Sequence, residues 1–146
     1  MSRRQLIALL AVVGACIATY LTLYKIGVIG TLSCSIGSCE TVNTSKWSRL
    51  IGIPIAAWGL GYYLTVLVMA FVGMQPRFEE SPGFARALLA VTTVGLLVSG
   101  YLTALELFVI HAICMWCVIS AIIAATIFAL SATPALSSAP VPPTPR

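Results

Sequence analysis

Cysteine is the residue type whose spacing in this 146-residue sequence could do chemistry, and the five cysteines stand at positions 16, 34, 39, 114 and 117. Four of them form two pairs, Cys34-Ser-Ile-Gly-Ser-Cys39 and Cys114-Met-Trp-Cys117. On a helix, positions i and i+3 share a face with Cβ atoms roughly 5–6 Å apart, so Cys114 and Cys117 need only a modest adjustment to form a disulfide. At a helix N-terminus, free N–H groups and the dipole stabilise a thiolate and favour thiol–disulfide exchange. A ring this small constrains the unfolded chain little, so the pair reads as a redox switch and not as a staple. The spacer between Cys34 and Cys39 is short and able to flex. Exposed cysteines on such a segment can take electrons from a soluble partner and swing to a second pair; a static loop disulfide is the alternative. Four cysteines can also hold zinc, but the four-residue spacer and the apolar setting of Cys117 argue against it, and no metal site is expected. Cys16, alone in an apolar run, reads as a small hydrophobe.

The elements that must position these pairs are legible in the charges. The sequence is 60% hydrophobic, with a mean hydropathy of +1.04 and only 8% charged residues, where a soluble domain has about 25%. Its twelve charges leave the windows 5–24, 50–76, 87–105 and 107–145 uncharged, and each can hold the roughly 20 apolar residues that span a bilayer. A water-soluble domain, a disordered chain and a nucleic-acid binder are excluded. The expected fold is an all-α integral membrane protein, a four-transmembrane-helix bundle with a cysteine-bearing extracytoplasmic loop. The spans are expected from Gln5 to Ile26, from Ile51 to Val72 with Pro54 in the first turn, from Phe84 to Leu105 or Phe108, and from Ile113 to Leu130. Residues 1–132 make the membrane domain, and 133–146, rich in proline, are expected to be a disordered tail. Ser2-Arg3-Arg4 and Val13-Gly14-Ala15-Cys16 resemble export and lipoprotein signals, but the apolar run continues past both and an uncleaved first helix is expected.

Arg3, Arg4, Arg77, Arg86 and Arg146 against Lys25, Lys46 and Arg49 favour cytoplasmic termini. The pairs share one membrane face whichever way the protein is oriented, because the chain is on the same side after spans one and three. Electrons entering a dithiol at a membrane need an acceptor, and apolar spans can enclose a quinone ring. Asn43 and Ser45 can reach such a pocket from the loop. Trp47, Trp58 and Trp116 cluster at the same face, as an interfacial belt or as pocket wall, so Ser45, Asn43, Trp47 and Trp116 are the candidate quinone contacts. Glu106 and His111 flank the third corner, where an ionisable group either relays protons or is merely solvated, and neither is counted as catalytic.

These residues together resemble the vitamin K epoxide reductase family, in its small bacterial members, over about residues 10 to 130. The resemblance rests on Cys34 and Cys39, the run Cys39-Glu-Thr-Val-Asn-Thr-Ser45-Lys-Trp47, Gly52-Ile-Pro54 with Trp58-Gly59, Tyr101-Leu102 with Glu106, and Cys114-Met-Trp-Cys117-Val. It implies a bundle around a quinone (ubiquinone or menaquinone) with Cys117 nearest the ring, Cys114 exchanging with the loop pair, and Ser45 near the substrate. It also implies a multi-pass protein of the bacterial inner membrane, with a separate periplasmic thioredoxin-fold, DsbA-like thiol oxidase as partner, supporting disulfide formation. Vertebrate members carry tyrosine four residues after the second cysteine of the CxxC; Ala121 stands there, which favours plain quinone reduction over epoxide reduction. A DsbB-like oxidase would carry its CxxC in the first outward loop, the reverse of the order here. The reading from another class is a small tetraspan transporter or assembly protein with structural cysteines.

Overall fold

The computed structural model describes residues 1–137, with side chains described as far as Thr133. Four helices are long and apolar enough to cross a membrane: α1 (Arg3–Lys25), α3 (Ile55–Gly73), α5 (Pro82–Leu105) and α6 (Met115–Ser137). Between the first two lie the short helix α2 (Cys39–Thr44), a 3₁₀ turn (Lys46–Ser48) and a hairpin of β1 (Arg49–Leu50) and β2 (Ile53–Pro54). A single turn, α4 (Pro76–Glu79), links α3 to α5, and a π turn (Glu106–Ile110) extends α5.

Each end follows from local chemistry. Ser2 caps α1 in a capping box with Gln5, satisfying two N–H groups that the helix start leaves free. Span two begins at Ile55, later than the expected Ile51, and Pro54 is its N-cap residue and not part of its first turn. Ile51 and Gly52 both have positive φ, as a two-residue hairpin turn requires, and the residue before a proline is pushed to extended backbone. Span three starts at Pro82, a good first helical residue, behind the cap of Ser81 on the Phe84 N–H. The composition change at Ser131 does not end span four. Ser131 is 1% exposed and donates its hydroxyl to the Ile127 carbonyl, so it is satisfied within the helix, and α6 continues to Ser137. Residues 133–137 of the expected disordered tail are therefore helical, and the rest of that tail lies outside the described residues.

The helices pack through small residues, as membrane helices do where there is no hydrophobic force to drive them together. Ala8, Ala11, Gly14, Ala18 and Leu21 line the buried side of α1, and a Cβ on Gly14 would strike the Tyr63 ring. Tyr63 bonds Ser120 through both the hydroxyl (2.7 Å) and the carbonyl (2.8 Å), which ties α3 to α6. α1 packs extensively on α3 and α5 on α6, whereas α3 and α5 touch sparsely. The space left there becomes the cavity described next.

Candidate functional site

Both cysteine pairs lie at one end of the bundle. Cys34 and Cys39 are disulfide-bonded, with Cα atoms 6.2 Å apart, and Cys114 and Cys117 are free thiols. The loop disulfide is pinned, where the sequence suggested a flexible spacer. The Leu32 N–H donates to Glu40 (3.3 Å), the Ser33 N–H to the Tyr20 hydroxyl (2.9 Å), and the Trp116 indole N–H to the Ser33 carbonyl (2.7 Å). Gly37 then forms an antiparallel bridge with Cys114, and the Ser38 N–H donates to the Ile113 carbonyl at 2.7 Å. Gly37 has φ +86°, and a Cβ there would run into the Ile113 carbonyl; glycine meets both demands.

This clamp sorts the loop cysteines. Cys39, in the first turn of α2, is 1% exposed and Cys114 is 0% exposed, whereas Cys34 is half-buried. Asn43 stands between the pairs, donating from Nδ2 to the Cys39 carbonyl (2.8 Å) and toward the Cys114 sulfur (3.7 Å). The Cys117 N–H also points at the Cys114 sulfur, at 3.4 Å. Cys114 supplies the carbonyl for the first α6 hydrogen bond, from Val118, so its sulfur sits at the helix start expected from the CxxC. Its thiol pKa is held below the ordinary value by the hydrogen bond to the Cys117 thiol, with the Cys117 and Trp116 N–H groups adding to it against burial and the Glu106 charge.

Cys117 faces a partly open cavity of about 370 Å³ lined by the four spans and the loop. Asn43, Ser45, Trp47 and Trp58 line it with Cys117, and the walls below are mostly apolar. Trp116 does not: its ring packs edge-on to Tyr20, at 5.5 Å between centroids, and its N–H holds the loop. The helical turn that aims Cys117 inward carries its neighbour toward the outer side of α1. The volume and apolar wall suit a quinone ring. Tyr62, also in the wall, has a buried hydroxyl with no partner among the described residues, a donor matched to a carbonyl oxygen inside the cavity. Lys25 reaches the rim but is engaged by the Asn43 carbonyl and the Ser48 hydroxyl, each at 2.6 Å.

Of the two settings left open for it, Glu106 is not in the solvated one. It is 5% exposed, and its Oε2 accepts the Cys114 N–H at 3.1 Å. Its carboxyl also interacts with the Cys117 thiol. His111 is exposed, in a left-handed conformation at the end of the π turn. The sequence signal for Glu106 was its isolation: it is the one charged residue between Arg86 and Arg146. Tyr62 gave no signal, because a tyrosine in an apolar span is ordinary. Among the described residues no cluster of histidine, cysteine or acidic side chains could hold a metal ion.

Four membrane-spanning helices that press a disulfide-bearing loop onto a buried CxxC define a class, the polytopic membrane proteins built around paired cysteines. The match to a family model narrows that class: the chain belongs to the vitamin K epoxide reductase family, which covers residues 5–132. It is accordingly a membrane redox enzyme.

Proposed function

We propose that the protein moves electrons from a separate thioredoxin-fold, DsbA-like partner through Cys34/Cys39 and then Cys114/Cys117 to a quinone, and so supports disulfide formation on the extracytoplasmic side of a bacterial inner membrane. The observation that carries this reading is the Gly37–Cys114 bridge, which seats the loop disulfide on the inner pair while Cys117 faces an apolar cavity. A partner thiolate attacks the half-buried Cys34 and releases the Cys39 thiolate, and the partner's second thiol then displaces Cys34 as the partner disulfide closes. Cys39 attacks Cys114 of the oxidised inner pair, freeing Cys117, which takes up a proton, and Cys34 then attacks Cys39, re-forming the loop disulfide and releasing the Cys114 thiolate. Cys114 and Cys117 return to a disulfide as a quinone held in the cavity takes up two electrons and two protons. Asn43, Ser45 and Trp47 hold its ring at the loop end and the Tyr62 hydroxyl binds an oxygen deeper in, while Trp116 steadies the loop.

The test is to incubate the purified protein with the reduced partner and ubiquinone or menaquinone, following quinone absorbance and free thiols together. Quinone loss matched to thiol loss, and abolished by Cys117→Ala, is expected. Absence of quinone loss, or a Cys117→Ala variant at the wild-type rate, would overturn the reading in favour of structural cysteines.

A further inference from the structure

A second, shallower cleft opens at the loop end of the bundle, lined by Gly37, Ser38, Leu107, Ala112 and Ile113, with the exposed His111 at its edge. Glu106 lines this cleft as well as the intramembrane cavity, and among the described residues it alone lines both. The π turn makes this reach possible. Its wider winding lets the Glu106 carbonyl accept the His111 and Ala112 N–H groups, and such turns recur at functional sites. The side chain is fixed by the Cys114 N–H and lies against the Cys117 thiol. A buried carboxyl with one side toward water and the other toward a reacting thiol can carry a proton between them.

We infer that Glu106 is the proton donor of the intramembrane step, loading from the outer cleft and protonating a quinone oxygen as Cys114 and Cys117 are oxidised. The inference rests on the quinone reading above. Before the step, Cys114 is a thiolate, Cys117 a thiol and Glu106 a neutral acid. In the step the Cys114–Cys117 bond forms, two electrons leave the sulfurs, and the two protons that complete the hydroquinone come from Cys117 and Glu106. Glu106 is left as a carboxylate and reloads from the cleft. The titratable groups facing it are Cys114 and Cys117 at the head of α6, His111 on its own turn, and, across the cavity, Lys25 of α1 with Tyr62 and Tyr63 of α3.

Glu106→Gln separates this role from a structural one, since a glutamine oxygen still accepts the Cys114 N–H but the amide gives up no proton. Turnover with quinone is expected to fall about a hundredfold or more while the partner reduces the loop disulfide at the wild-type rate, and Glu106→Asp is expected to restore part of the loss. A second arm uses no quinone: the infrared difference between dithiol and disulfide forms at neutral pH shows a carboxylic acid band that shifts in heavy water and is missing from Glu106→Gln. Wild-type turnover by Glu106→Gln, equal loss of loop reduction, or an acid band that is absent or survives the substitution would overturn the inference. Failure of the wild type to reduce any quinone would instead remove the underlying reading, and the infrared arm would still report on Glu106.

Discussion

The Cys114 sulfur receives the Cys117 thiol and N–H and faces the amide of Asn43. Hydrogen bonds to the charged form favour it, so the thiolate persists to lower pH than in a free cysteine, whose pKa is about 8.5. With the Cys34–Cys39 disulfide intact, alkylation of Cys114 is therefore expected to decline only as pH falls through that lowered value. Asn43→Ala removes one donor and moves the decline upward, which a pH series of alkylation read by peptide mass spectrometry checks. An unchanged profile would mean that Asn43 acts on the loop alone. Tyr62 makes a separate case. Tyr62→Phe deletes only the unpartnered hydroxyl, so the KM for quinone is expected to rise about tenfold, one hydrogen bond's worth, with loop reduction unchanged and stability equal or higher. The pairing of the loop cysteines was open to reading from spacing because exchange chemistry needs pairs. Asn43 and Ser45 were reachable as cavity residues because a polar residue just ahead of an apolar span faces its mouth. Trp116 was not, since a tryptophan between two cysteines faces cavity or loop according to a single helical step, which depends on where α6 begins.

At the scale of elements, the loop is held by the meeting of residues 37–38 with 113–114. Gly37→Ala would place a Cβ against the Ile113 carbonyl at a positive φ, a conformation costing about 1–2 kcal/mol for a residue with a side chain. Transfer from loop to inner pair is expected to slow at least tenfold, while the partner still attacks Cys34, as rapid-quench thiol mapping would show. Equal rates would mean that the bridge does not set the geometry of transfer. The four spans were legible because uncharged windows follow from bilayer thickness. Their ends were less so: the hairpin at Arg49–Pro54 and the extension of α6 depend on turn geometry and on the buried hydroxyl of Ser131, which hydropathy does not weigh. The bridge depends on two segments far apart in sequence, and nothing local to Cys34–Cys39 announces it.

Across the whole molecule, small residues draw α1 onto α3, Tyr63 ties α3 to α6, and the sparse contact of α3 with α5 leaves room for the cavity. Filling the α1–α3 crossing with Gly14→Val should cost about 1–3 kcal/mol by overpacking, seen as a lower thermal midpoint in detergent; an unchanged midpoint would show that the crossing yields. In the proposed path electrons leave the protein only through Cys117. Quinone-loaded vesicles carrying the protein, given excess reduced partner, let partner disulfides be counted against quinone consumed. One quinone per partner disulfide is expected for the wild type. Cys117→Ala is expected to oxidise a single equivalent of partner, drawn from the loop disulfide, and then stop. Continued turnover by Cys117→Ala, or partner oxidation without quinone loss, would overturn the proposed path.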